Sequence, residues 1–115
     1  MLDARTLPLK IVQRLFPDDQ VEAVLKALDS STEGSPAGDR DRIQVAVLKL
    51  YCEDPHRNLN AWVKAANIDY RDVLLWAETP SLARQRIRPV LTSKELKALR
   101  AQDKAQLDAW LRSVA

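Results

Sequence analysis

Four times along this chain, apolar side chains recur at the spacing of a single helix face. Val21, Val24, Leu25 and Leu28 stand at i, i+3, i+4 and i+7, and so do Leu59, Trp62, Val63 and Ala66. Tyr70, Val73, Leu74 and Ala77 repeat the pattern, as do Leu107, Trp110, Leu111 and Val114. At 3.6 residues per turn these positions fall on one side of a helix, whereas a half-buried strand would alternate every second residue. Each set is an apolar stripe that needs another surface to cover it. A shorter stripe, Leu7, Ile11 and Leu15, opens the chain, with Thr6 as its N-cap and Pro8 in its first turn, where a missing N–H costs nothing.

The helix-start signals fit these stripes. Asp18 or Asp19 suits the N-cap of the second helix. Asp54-Pro55 reads as a cap followed by proline at the first helical position, and Asp69 as the cap of a helix beginning at Tyr70. Thr92-Ser93-Lys94-Glu95 has the form of a capping box. Asp103 and Gln106 could form another and split the C-terminal segment, or one helix could run from about 93 to 113.

Residues 43–51, Ile43-Gln44-Val45-Ala46-Val47-Leu48-Lys49-Leu50-Tyr51, alternate well enough for a strand. As a helix they would be apolar nearly all round, which belongs at the centre of a bundle. A strand here would have no pairing partner elsewhere, and unpaired buried backbone is costly. The expected fold is therefore all-α. It is a five- or six-helix bundle around a central helix at about 41–53, with helices at 59–66 and 70–77 packed across it. The N-terminal pair and the C-terminal helix cover the remaining faces.

A length of 115 residues with 46% hydrophobic content suits one domain, 1–115, that buries its core without a metal or disulfide. Both glycines, Gly34 and Gly38, lie in a polar stretch expected to be a flexible loop at 30–40. Residues 79–92 read as a basic linker leading to the C-terminal amphipathic helix. The one cysteine, Cys52, cannot make an internal disulfide. With no secretory h-region and no apolar run of about 20 residues, a cytoplasmic protein without a membrane span is expected.

Arg42-Ile43-Gln44-Val45-Ala46-Val47-Leu48-Lys49-Leu50, then Ala65-Ala66-Asn67-Ile68-Asp69-Tyr70-Arg71-Asp72-Val73-Leu74 and Ala77-Glu78, resemble a group of short bacterial all-helical proteins. The shared core is R-[IV]-x-x-A-[IV]-L-K-L, a turn, an amphipathic helix and D-[YW]-R-D-x-L, over residues 42–79. The resemblance implies a compact helical module and a bacterial source, and it brings no activity, cofactor or catalytic residue. This chain departs from the pattern after Leu50, where the group has a short Gly/Asp turn and this sequence has Tyr51-Cys52-Glu53-Asp54-Pro55-His56-Arg57.

No catalytic constellation emerges, and the chain is expected not to be an enzyme and to need no cofactor. Cys52 and His56 are four apart, but Asp54-Pro55 between them should end the helix that would align them. Glu53, Asp54 and His56 are metal-ligand types with no second His or Cys to complete a zinc site. Asp39/Asp41 and Asp69/Asp72 are better explained as caps than as acid/base pairs. No strand and Gly-rich loop are placed to cradle phosphate.

Charge is uneven although its total is only +2. Residues 1–81 carry ten Lys/Arg against thirteen Asp/Glu, while residues 82–115 carry eight against three. The helices at 59–66 and 70–77 could be a helix-turn-helix, but Asp69 and Asp72 would then meet the polyanion, so an αα-hairpin in the core is the simpler reading. The basic candidates for polyanion binding are Arg84, Arg86, Arg88, Lys97, Arg100 and Lys104. The C-terminal stripe of Leu107, Trp110, Leu111 and Val114 either packs back on the chain's own core or is the candidate protein interface, which would present an exposed apolar patch with Trp110 as its anchor. The function this favours is a non-catalytic protein–protein interaction or adaptor module. Its partner would be another protein or itself as a homodimer, with nucleic-acid or other polyanion binding through 84–104 as the alternative.

Overall fold

The computed structural model describes residues 6–54, 56–84 and 92–114. Among them are six α-helices, α1 (Thr6–Leu15), α2 (Asp18–Ser30), α3 (Arg40–Glu53), α4 (Leu59–Glu78), α5 (Pro80–Arg84) and α6 (Ser93–Val114), and no strand. The all-α architecture is thus what the periodicity predicts.

Helix α3 is the hub. Its residues 43–50 are buried without interruption, as the lack of a polar face requires. Ile43, Val47 and Leu48 are fully excluded from water. Helix α4 lies along it in the most extensive pairing of the fold, while α1 and α2 pack on other sides. The last turn of α4 comes back beside the first turn of α3, where Arg42 meets Glu78, so the two helices run antiparallel. Helix α6 closes the bundle against α1, α4 and α5.

Helix α3 also buries two polar side chains. Gln44 donates from Nε2 to Thr32 Oγ1 at 3.2 Å and to Asp29 Oδ1 at 3.3 Å, which ties α3 to the end of α2. Lys49 pairs with Glu53 one turn on, its stem among apolar neighbours and its amine led outward. The segment 30–40 contains the end of α2, turns and a 3-10 turn at Ala37–Asp39. Ser31 and Thr32 within it are buried, their hydroxyls donating to the Leu28 and Asp29 carbonyls that end α2.

The caps fall partly where the sequence puts them. Thr92 and Glu95 form the reciprocal box, each side chain accepting from the other's backbone N–H at 3.1 Å. Asp69 breaks α4 with extended backbone (φ −158°, ψ 101°) and accepts from the Arg71 N–H at 3.0 Å, restarting the helix as expected. Two expectations change. Asp18 and Asp19 sit inside the first turn of α2 behind Pro17, where they face the positive end of the dipole without capping. Asp54 ends α3, and Asn58 caps α4 instead, accepting from Ala61 N–H at 2.9 Å. Pro55 lies outside the described residues, as does the Thr6 side chain.

Asp103 does not split α6, which is continuous. Its carboxylate is 1% exposed and accepts the Ser81 N–H at 3.2 and 3.4 Å, so it caps α5 from another helix. The C-terminal stripe is also used within the chain. Val114 is buried, and Trp110 and Leu111 pack against the core. Of the two readings of the stripe, the structure has the one packed on the chain's own core, with Leu107, Trp110 and Leu111 forming a half-buried seam in place of an exposed patch. The physical reason is proximity: the stripe needs cover, and the nearest apolar surface is the chain's own core.

Candidate binding cleft

The seam leaves an apolar opening. Leu7 of α1, Val45 and Ala46 of α3, Ala77 of α4, and Leu107 and Leu111 of α6 line a cleft of about 290 Å³. Each pair arises from local geometry. Leu107 and Leu111 are one helical turn apart, and Val45 is one turn on from Asp41, which stands on the rim. Val45, Ala46 and Ala77 are themselves buried, so the floor is fixed by the core and not by mobile surface side chains.

Charge surrounds this apolar floor. Arg42 donates from Nε to Glu78 Oε2 at 2.8 Å and from Nη2 to Oε1 at 2.5 Å, a two-pronged pair at the mouth. The hydrogen bond to Glu78 holds the Arg42 guanidinium further into its charged form, with partial burial opposing and the charges of Glu78 and Asp39 adding to it. Arg42 is 55% exposed, so the pair contributes little to stability, and its effect is to fix the shape of the rim. Small-molecule pockets run from about 300 to 1,000 Å³. This cleft is at the lower end, sized for one or two apolar side chains and bordered by both signs of charge.

Two other hollows are less suited to a ligand. One of about 350 Å³ lies at the α4 break, lined by Ser31, Ser35, Asn67, Asp69 and Arg71. Its two charges already neutralise each other, with Arg71 Nε on Asp69 Oδ1 at 3.0 Å. The Asp69 carboxyl is lowered by that side-chain bond and by the Arg71 N–H. The other, between α2 and the start of α4, is a shallow groove beside Phe16, Val24 and Leu59.

The structure also places the remaining sequence candidates. Lys97, Arg100 and Lys104 share an exposed face of α6, and Lys104 pairs with Asp108 at 3.2 Å. Arg84 ends α5 with its side chain outside the described residues, and Arg86 and Arg88 lie outside them altogether. The would-be helix-turn-helix is one kinked element whose Arg71 is committed to Asp69. Among the described residues no group of three or more His, Cys, Asp or Glu converges on a metal position. No helix among them is long and apolar enough to cross a membrane.

Cys52 and His56 are not joined as a nucleophile and base. Cys52 is in the last turn of α3, while the His56 backbone N–H is tied to Asp54 Oδ1 at 3.2 Å beyond the helix end. Cys52 reaches solvent. Partial cover around its sulfur nonetheless pushes the thiol up, the Glu53 charge adds to this, and a hydrogen bond with Trp110 offsets only part. The thiol is therefore protonated at neutral pH and a poor nucleophile. Alkylation by iodoacetamide is expected to be slower than that of glutathione at neutral pH and to accelerate only in alkali. A rate above glutathione's at neutral pH would mean that an activating base is present.

The fold and cleft define a helical bundle with an open apolar socket. Compared with protein-family models, curated proteins and solved structures, the chain finds no match.

Proposed function

We propose that this chain is a non-catalytic protein-interaction module that receives an apolar side chain of a protein partner in the α1/α3/α4/α6 cleft. The observation that supports this is a socket with a rigid apolar floor and a charged rim. Apolar contact in such a socket supplies affinity, and the rim selects which charges flank the incoming residue. On this reading the segment 42–79, which resembles the short bacterial helical proteins, is scaffold that provides two of the walls, and the module works in the cytoplasm.

A random library of short helical peptides displayed on phage tests the reading. Selection on the folded protein is expected to enrich sequences with one bulky apolar anchor and a neighbouring cation. Binding should fall about tenfold or more, roughly 1.4 kcal/mol, in a Leu107→Glu variant. Peptides that bind this variant as well as the parent would place recognition elsewhere.

A second reading is polyanion binding along the exposed Lys97, Arg100 and Lys104 face of α6. That face has no stacking aromatic beside it, and one of its cations is already paired. If it binds nucleic acid, heparin retention will drop steeply as salt rises, and Lys97→Glu with Arg100→Glu will abolish it. Passage through heparin unretained at low salt removes this alternative.

A further inference from the structure

The socket is open, and the chain itself carries a side chain of the kind that fits it. Among the described residues Ile68 is the one large apolar side chain left to solvent, at 78% exposure. It sits on α4 directly before the break at Asp69. Lys64, one turn earlier on the same helical run, is an exposed cation beside it, and Arg71 is a second exposed cation just past the break. Around the socket the carboxylates are those of Asp41 and Glu78.

Pairing within the chain leaves one charge unmatched on each side. Arg71 is held by Asp69, and Glu78 by Arg42. Among the described residues no ion pair engages Lys64 or Asp41. The protruding apolar residue thus has a free cation beside it, and the socket has a free anion on its rim.

On the footing of the cleft reading above, we infer that the occupant is a second copy of this chain. Ile68 of one molecule enters the cleft of another, and its Lys64 faces the other molecule's Asp41. Donor and acceptor lie on different parts of the chain, so the contact is head-to-tail unless two molecules engage reciprocally. One inserted side chain buries far less than the roughly 1,200–2,000 Å² of a stable interface. The association is accordingly weak, and assembly grows with concentration.

Sedimentation of the full chain over rising concentration tests this. The parent's average mass should climb above 13.0 kDa. Ile68→Glu, which keeps the socket, and Leu107→Glu, which keeps the protruding residue, should each stay monomeric. Mixed in equal amounts they should form a one-to-one complex, because one intact contact then remains. Circular dichroism checks that Leu107→Glu is folded. Should it unfold, the rim pair replaces it: Asp41→Lys and Lys64→Glu each weaken assembly, and their mixture restores it.

A parent that stays monomeric throughout, or an Ile68→Glu variant that assembles like the parent, overturns the proposal. The selected peptides separate this failure from that of the cleft reading. If Ile68→Glu still binds them while the parent does not self-associate, the socket stands and only its occupant is wrong. If neither protein binds them, both readings fall.

Discussion

Leu48→Ala is expected to remove about 3 kcal/mol of folding stability. Leu48 is 0% exposed in the middle of the helix that α4 pairs with most extensively. The loss combines transfer of the missing methyl groups with an unfilled cavity, since neighbours on both sides are themselves locked in the core. Against a total of about 5–15 kcal/mol for a domain of ordinary stability, this is a large fraction. Urea unfolding followed by far-UV circular dichroism measures it as a shift in midpoint at constant slope. A loss below about 1 kcal/mol, the size of an ordinary surface substitution, would show that α3 is not the centre of the bundle.

Trp110→Ala is expected to cost about 2 kcal/mol, toward the lower part of the range for large core side chains because the ring is only half-buried. The substitution withdraws one of the apolar anchors of α6 from the core. The same measurement decides how the C-terminal stripe is used. If Trp110 served chiefly to bind another chain, the substitution would change the solution mass and leave the unfolding midpoint in place. Packed against the chain's own core and outside the socket that Leu107 and Leu111 line, Trp110 gives the opposite result: a lower midpoint and an unaltered response of mass to concentration.

The sequence makes legible whatever depends on neighbours along the chain. Helix α3 is readable because residues 43–50 offer no polar face, and only a central position accepts that. The Thr92/Glu95 box and the Asp69 cap are readable because donor and acceptor are two or three residues apart. At the α3–α4 connection Asp54 and Asn58 both offer a capping oxygen, and the choice is made by where the chain leaves the core, which no local rule encodes. Asp103 has the composition of a local cap but faces a different helix. The cleft was invisible for the same reason. Its six apolar residues come from four helices, and none is unusual on its own. The Arg42/Glu78 pair joins residues 36 apart, so only the antiparallel return of α4 brings it together. Ile68 lies on the side of α4 opposite the Leu59, Trp62, Val63 and Ala66 stripe, which leaves it in solvent.

The cap that Asp103 lends to α5 sets an order of events during synthesis. Ser81 leaves the ribosome 22 residues ahead of the carboxylate that will receive its N–H. A segment as short as Pro80–Arg84 does not hold a helical turn by itself in water. Residues 80–84 must therefore wait, unformed, until most of α6 has been made and has folded back. A nascent chain arrested before Asp103 would present the α4 terminus without α5.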